Sequence, residues 1–205
     1  MKSLLALPIA ALCLAASAHA AGTVDASNST ITCSTLTKAV IQPIPALRYG
    51  GTLPGTVKIK GALSGCTTNA PGVTSISGTF GGLLTGGLND CVNLLGPTAY
   101  TGTLTIKWKS VPGLINAVST VTVNAWSAVG GLFLFLAPAS YGEFQLGNPP
   151  GAALGVAGSF TGGDGGATSK ATVVTTQDMN AITALCNSAT GVKALNIGLG
   201  TITLQ

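Results

Sequence analysis

In Thr103-Leu104-Thr105-Ile106-Lys107-Trp108-Lys109, polar and apolar side chains alternate without a break. Side chains two residues apart lie on the same face of a β-strand. Leu104, Ile106 and Trp108 therefore share one face, and the threonines and lysines share the other. This pattern is typical of a strand that is buried on one side only. We predict a half-buried strand with Trp108 in the protein core.

The same alternation recurs and predicts an all-β protein. It is found over residues 56–60 and 120–125. The turn signal Val111-Pro112-Gly113 lies between two of these strands and favours an antiparallel hairpin. Further strands are predicted over Ser29–Cys33, Val73–Phe80, Tyr141–Leu146, Leu154–Phe160, Ser169–Thr175 and Leu195–Leu204, which makes about ten in all. We expect an antiparallel β-sandwich or a barrel-like domain.

Two features near the C-terminus modify this pattern. An apolar stripe with helical spacing, from Met179 to Cys186, predicts one short helix near 177–187 that Thr176 would cap. In the strand Leu195–Leu204 the apolar residues change from odd to even positions. A β-bulge at Gly200 would restore their facing.

Residues 1–20 have the features of a secretory signal peptide. Lys2 supplies a positive start, Leu4–Leu14 an apolar core, and Ala18-His19-Ala20 a cleavage motif. We expect cleavage near Ala20 and a single secreted β-domain over residues 21–205. The expected location is extracytoplasmic, in the periplasm, at the cell surface or outside the cell.

Cleavage would remove the only histidine, His19, and the odd cysteine, Cys13. Hydrolase mechanisms that depend on an imidazole base are then excluded. The four cysteines that remain indicate two disulfides, as is usual in exported domains. Three pairings are possible. We favour Cys33 with Cys66 and Cys91 with Cys186, because each bond is then local to one half of the chain or to the helix.

The charges are few and scattered along the sequence. Nine Lys and Arg residues face five Asp and Glu residues, and loss of Lys2 leaves a net charge of about +3. Nucleic-acid binding is not expected, because it needs clustered basic residues with stacking aromatics. No transmembrane segment is expected, since the run Leu132–Ala137 is far shorter than the ~20 residues of a bilayer span. Within it, Leu132–Leu136 is apolar on both faces and would be a core strand, an interface or a membrane-facing tip.

Candidate catalytic or metal-binding groups are few. A glycosidase-like pair of carboxylates would come from Asp90, Glu143, Asp164 and Asp178, and nothing in their spacing pairs them. The Gly162–Gly166 run resembles a calcium loop only superficially and is expected to be a hairpin loop. We therefore assign no catalytic, cofactor-binding or metal-binding residue, and expect neither a cofactor nor enzyme activity.

Aromatic side chains are candidates for a carbohydrate-stacking platform. They are Tyr49, Tyr100, Trp108, Trp126 and Tyr141. Trp108 is expected in the core, whereas the parity of Trp126 places it with the polar residues of its strand. Asn28-Ser29-Thr30 is a formal glycosylation sequon.

Several short segments of the mature chain carry a resemblance to known proteins. They are Ser64–Thr67, Cys91–Leu95, Leu185-Cys186 and Leu195–Leu204. In these segments the chain resembles a group of secreted β-rich proteins found mainly in actinobacteria. The Gly147–Gly151 insertion and the apolar strand Phe133–Phe135 depart from their pattern. The resemblance implies a secreted, bacterial, disulfide-bonded β-domain and carries no activity.

Two classes of function follow from these observations. The first is a non-catalytic binding or cell-surface module that recognises a glycan, a lipid or another protein through loops or one polar sheet face. The second is a structural subunit that self-associates through exposed β-edges. A carboxylate-dependent hydrolase is the third hypothesis.

Overall fold

A computed structural model describes residues 22–92, 100–123, 126–128, 141–146, 155–166 and 169–205, with backbone alone for 126–128 and 141–146. The elements are β1 (Thr23–Val24), β2 (Ile31–Ile44), β3 (Pro54–Thr68), β4 (Ser75–Leu88), β5 (Thr101–Val111), β6 (Gly113–Leu114), β7 (Val118–Val123), β8 (Trp126–Ala128), β9 (Tyr141–Leu146), β10 (Gly155–Gly158), β11 (Lys170–Asp178), α1 (Met179–Cys186) and β12 (Leu195–Leu204). The expected all-β fold with one short C-terminal helix is confirmed. The predicted signal peptide and the apolar strand 132–136 lie outside the described residues.

Ten of the strands form one antiparallel sheet. Its order is β10-β7-β5-β4-β3-β2-β12-β11-β9-β8, and β1 and β6 form a separate parallel pair. The hairpin predicted around Val111-Pro112-Gly113 is confirmed, because β5 pairs with β7 in antiparallel register. The long strands β2 to β5 are central, so they provide most of the sheet surface.

The sheet curls until strands far apart in its order share one interior. Five strands separate β7 from β11, so the two would lie about 29 Å apart in a flat sheet. Val121 and Val123 of β7 nevertheless line the same cavity as Ala171 and Val173 of β11. The described edge strands β8 and β10 do not pair with each other. The sheet is therefore curled but not closed into a barrel.

Inward-facing glycines make room for inward-facing aromatic rings. Gly61 pairs across strands with Phe80, and Gly78 pairs with Trp108. A Cβ atom on Gly61 would lie 2.6 Å from the Phe80 ring, and one on Gly78 would lie 2.8 Å from the Trp108 ring. Each glycine thus provides a bare stretch of backbone on which the opposite ring rests.

Trp108 is a core residue, as the alternation predicted. Its side chain is 6% exposed and packs edge to face on Phe160, with ring centroids 5.2 Å apart. The indole N–H donates to the Ser119 hydroxyl at 2.8 Å, and that hydroxyl donates to the Ser159 carbonyl. The polar group of the tryptophan is therefore satisfied inside the core. The side chain of Trp126 lies outside the description, so its predicted facing stays a prediction.

Register shifts interrupt several strands, and those in β2 and β12 change the facing of the residues that follow them. In β2, Thr37 pairs with Ala62 of β3 and Val40 pairs with Lys60, so β2 has one residue more than β3 between these pairs. This β-bulge contains Lys38, whose φ is 51°. In β12 a bulge was predicted at Gly200. The structure places the irregularity two residues earlier, because Thr175 pairs with Ile197 while Val174 pairs with Leu199. Gly200 itself pairs regularly with Val173.

The helix α1 lies where its apolar stripe predicted, but its cap differs. Asp178 is the N-cap residue, and its carboxylate accepts a hydrogen bond from the Ala181 N–H at 2.7 Å. The prediction that Thr176 caps the helix is wrong, since the helix begins at Met179 and Asp178 is its N-cap residue. The strand β11 continues to Asp178, three residues beyond Thr175, where the predicted strand ended. Met179, Ile182 and Cys186 are buried.

Two disulfides connect the elements. Cys33 of β2 is bonded to Cys66 of β3, and Cys91 is bonded to Cys186 at the end of α1. This is the pairing that the sequence analysis favours. The second bond spans 95 residues of sequence and ties the helix to the end of β4. Among the described residues, none of the helices has the length and apolarity to span a membrane.

Candidate functional site

The outer face of the sheet presents a polar surface along its long strands. Along β3, β4 and β5 the side chains that do not face the interior are exposed or half-buried, as the alternation requires. Threonine, serine, glycine and lysine fill most of these outward positions. No other described element covers them, so this face is open to a partner.

Strand register collects lysines that are far apart in the sequence. Lys58 and Lys60 lie on β3, and Lys107 and Lys109 lie on β5, with β4 between them. Lys60 pairs with Gly81 of β4, which pairs in turn with Thr105 of β5. By strand geometry, the two lysines of each strand are about 7 Å apart, and β3 and β5 are about 10 Å apart.

A fifth lysine extends this cluster toward β2. Lys38 is exposed in the β2 bulge, beside the part of β3 that carries Lys60. We call Lys38, Lys58, Lys60, Lys107 and Lys109 the outer lysine face. They are five of the eight Lys and Arg residues of the described chain.

The sequence indicated scattered charge, and the fold instead concentrates it. Strands β2, β3, β4, β5 and β7 carry these five lysines and contain neither aspartate nor glutamate. Each of these strands is described over its whole length. The charged side chains of these strands are therefore all positive, which neither the net charge nor the linear spacing of the lysines indicated.

The groups between the lysines are mostly hydroxyls. Thr79, Thr103 and Thr105 are exposed on β4 and β5. Gly81 lies among them, and a Cβ atom at this position would meet nothing closer than 3.6 Å. The outward positions of β3, β4 and β5 hold no aromatic residue. Away from the strand ends, their one large apolar side chain is Leu83, which is 48% exposed. This composition suits hydrogen bonding and charge pairing rather than stacking.

The interior of the curled sheet is too full to hold a large ligand. The described residues leave an apolar cavity of about 40 Å³. For comparison, an apolar cavity of roughly 150 Å³ can hold benzene. The cavity that the described residues leave is therefore smaller than a site of that kind.

The carboxylates considered for catalysis have local structural partners where their side chains are described. The Asp90 carboxylate accepts from the Gly50 and Val92 N–H groups at 3.3 and 3.1 Å. Asp164 accepts from the Gly166 N–H at 2.9 Å within its glycine-rich loop, and Asp178 caps α1. Glu143 lies on β9, where only the backbone is described. Each described carboxylate thus bonds to the backbone of its own turn or cap, or of an adjacent loop.

The aromatic residues do not gather into a platform in the described structure. Tyr100 is fully buried and donates to the Leu88 carbonyl at 2.9 Å, while Tyr49 is exposed. Burial raises the pKa of the Tyr100 phenol. Trp108 is in the core, and the side chains of Trp126 and Tyr141 lie outside the description.

The N-terminal turn carries the two remaining features. Asn28 of the sequon is exposed in the turn before β2. In the same turn Asp25 accepts from the Ser27 N–H at 2.9 Å, and this backbone hydrogen bond lowers the pKa of its carboxyl.

Neither metal-binding groups nor similarity to known proteins gives a further indication of function. Among the described residues, no group of three or more His, Cys, Asp or Glu side chains is placed to hold a metal ion. The chain matches no protein-family model, no curated protein and no solved structure.

Proposed function

We propose that this protein is a non-catalytic binding module that acts outside the cytoplasm and recognises its partner through the outer face of β3, β4 and β5. The observation that carries this proposal is the contrast between the two faces of the sheet. The inner face is closely packed with apolar side chains, and the outer face presents lysines and hydroxyls over three long strands. A surface of this kind offers many polar groups to an extended partner.

Two further observations support an extracytoplasmic binding role. Disulfides persist mainly in oxidising compartments, and the described chain contains two of them. The described carboxylates serve turns and a helix cap, so they supply no reason to invoke catalysis. We expect no turnover of esters, peptides or glycans by the purified protein.

A pair of matched variants tests whether the outer face binds. Thr79→Leu with Thr105→Leu removes two exposed hydroxyls and adds bulk between the lysines. Thr172→Leu with Thr201→Leu makes the same change on β11 and β12, where these threonines pair with each other. Both proteins are titrated against neutral and acidic polysaccharides and phospholipid vesicles. Loss of binding in the first variant alone is expected.

Equal binding by both variants, or no binding by the unmodified protein to any of these partners, would overturn the proposal. The alternative function is self-assembly into an extracellular structure. The edge strands of the described sheet are β10 and β8, and such edges are where copies of the chain would pair in an assembly. Sedimentation at micromolar concentration distinguishes the two functions, since assembly predicts polymers and the binding module predicts a discrete species.

A further inference from the structure

The outer lysine face is not explained by the stability of the fold. Like charges on neighbouring positions of a sheet repel one another and are destabilising. By strand register, Lys58, Lys60, Lys107 and Lys109 form a diagonal row in which neighbouring lysines lie about 7 to 12 Å apart and the two ends about 22 Å apart. The neighbour distances are comparable with the screening length of about 8 Å at physiological salt. The five strands that carry the face supply no acidic residue to offset this repulsion.

An anionic partner would relieve this repulsion, and the other groups on the face restrict its chemistry. Single-stranded nucleic acid is normally bound by stacking its bases on aromatic rings, and the outward positions of β3 to β5 have none. Binding to a membrane surface is strengthened by buried apolar anchors, and away from the strand ends Leu83 is the one large apolar side chain there. Exposed threonines, by contrast, can exchange hydrogen bonds with sugar hydroxyls.

We propose that the partner of the outer lysine face is an acidic polysaccharide, whose carboxylate or sulfate groups pair with the lysines while its hydroxyls contact the threonines between them. This inference rests on the proposed function and names its ligand class. A polymer suits the surface better than a small anion does. The lysines extend over three neighbouring strands instead of converging on a pocket, so a partner must contact several of them at once.

The first test measures binding to sensor surfaces that carry alginate, dextran sulfate or neutral dextran. Alginate presents uronate carboxylates and dextran sulfate presents sulfate esters, so the two probes separate the possible anions. Binding to at least one acidic polymer and not to dextran is expected. It should be lost between 0.1 M and 1 M NaCl, because the screening length falls from about 10 Å to about 3 Å.

The second test uses variants that alter the face without altering the core. Lys58→Gln with Lys60→Gln, and Lys107→Gln with Lys109→Gln, each remove two charges from it. Combining all four changes should weaken binding about tenfold or more, the cumulative effect of several exposed charge pairs.

Two further variants serve as controls on net charge and on position. Lys170→Gln with Lys193→Gln removes two exposed charges that lie outside the face, and affinity should change less than twofold. Gly81→Glu places an acid at the centre of the lysines, where the backbone leaves room for a side chain, and should abolish binding. Urea melts of every variant verify that the fold is intact.

The outcomes separate this inference from the proposed function. Equal losses in the face variants and in the Lys170 and Lys193 control would show that net charge alone governs binding, which overturns the inference. It is also overturned if nucleic acid or vesicles of phosphatidylglycerol bind while both acidic polysaccharides do not. If neutral dextran binds and the Thr79 and Thr105 changes abolish that binding, the proposed function stands and the ligand assignment is wrong. If nothing binds, both are wrong.

Discussion

Replacing Gly78 with alanine should destabilise the protein although alanine is normally the better strand residue. The added Cβ atom would lie 2.8 and 2.9 Å from two carbons of the Trp108 ring. The ring has little freedom to retreat, because its N–H is bonded to Ser119 and its edge packs on Phe160. Overpacking of a core costs about 1 to 3 kcal/mol, which exceeds the roughly 0.5 to 1 kcal/mol gained by removing a glycine from a strand. We expect a net loss of about 1 to 2 kcal/mol.

The matched control is Gly81→Ala on the outer face of the same strand. Its Cβ atom would meet nothing closer than 3.6 Å, so this change should stabilise the protein by about 0.4 to 1 kcal/mol. Urea unfolding followed by far-ultraviolet circular dichroism, with the disulfides intact, measures both free energies of unfolding.

A double-mutant cycle then locates the cause of the loss. Trp108→Ala alone should cost about 3 to 5 kcal/mol, the usual range for emptying a large buried site. In that background Gly78→Ala no longer meets the ring and should be neutral or stabilising, which gives a coupling of about 1 to 3 kcal/mol. If Gly78→Ala costs the same with and without Trp108, or behaves like Gly81→Ala, the packing argument is wrong.

Three further predictions concern the cap, the buried tyrosine and the cysteines. Asp178→Ala removes the acceptor of the Ala181 N–H and should lower the free energy of unfolding by about 1 kcal/mol in urea melts. Asp178→Asn keeps a side-chain oxygen and should retain most of the stability. Equal losses in the two variants would contradict the capping role. Burial raises the pKa of Tyr100, so an unfolded chain ionises this phenol first and stability should fall as pH rises above about 10. Absorbance titration should show one late-ionising tyrosine that disappears in Tyr100→Phe. Alkylation without reduction should label none of the four mature cysteines, and non-reducing peptide maps should contain both disulfides. A stoichiometric label on any of these cysteines would contradict the pairing.

The local features of this protein follow from its sequence because they depend on the spacing of neighbouring residues. Alternation over 103–109 placed Trp108 in the core, and the apolar stripe placed α1 within two residues of its observed range. The start of the helix differed from expectation, since Asp178 rather than Thr176 satisfies the first free N–H groups. That choice depends on how far β11 remains paired with its neighbours, which local pattern does not specify.

The candidate site, in contrast, was decided by the tertiary structure. Alternation determined that Lys58, Lys60, Lys107 and Lys109 point away from the core, but not that they occupy one surface. Their proximity depends on β4 pairing with both β3 and β5 in a particular register, which Gly61 opposite Phe80 and Gly78 opposite Trp108 help to define. Strand order and register are set by contacts between residues far apart in the chain, summed over the whole sheet. A period of two therefore determines which face a side chain occupies, while only the folded sheet determines its neighbours.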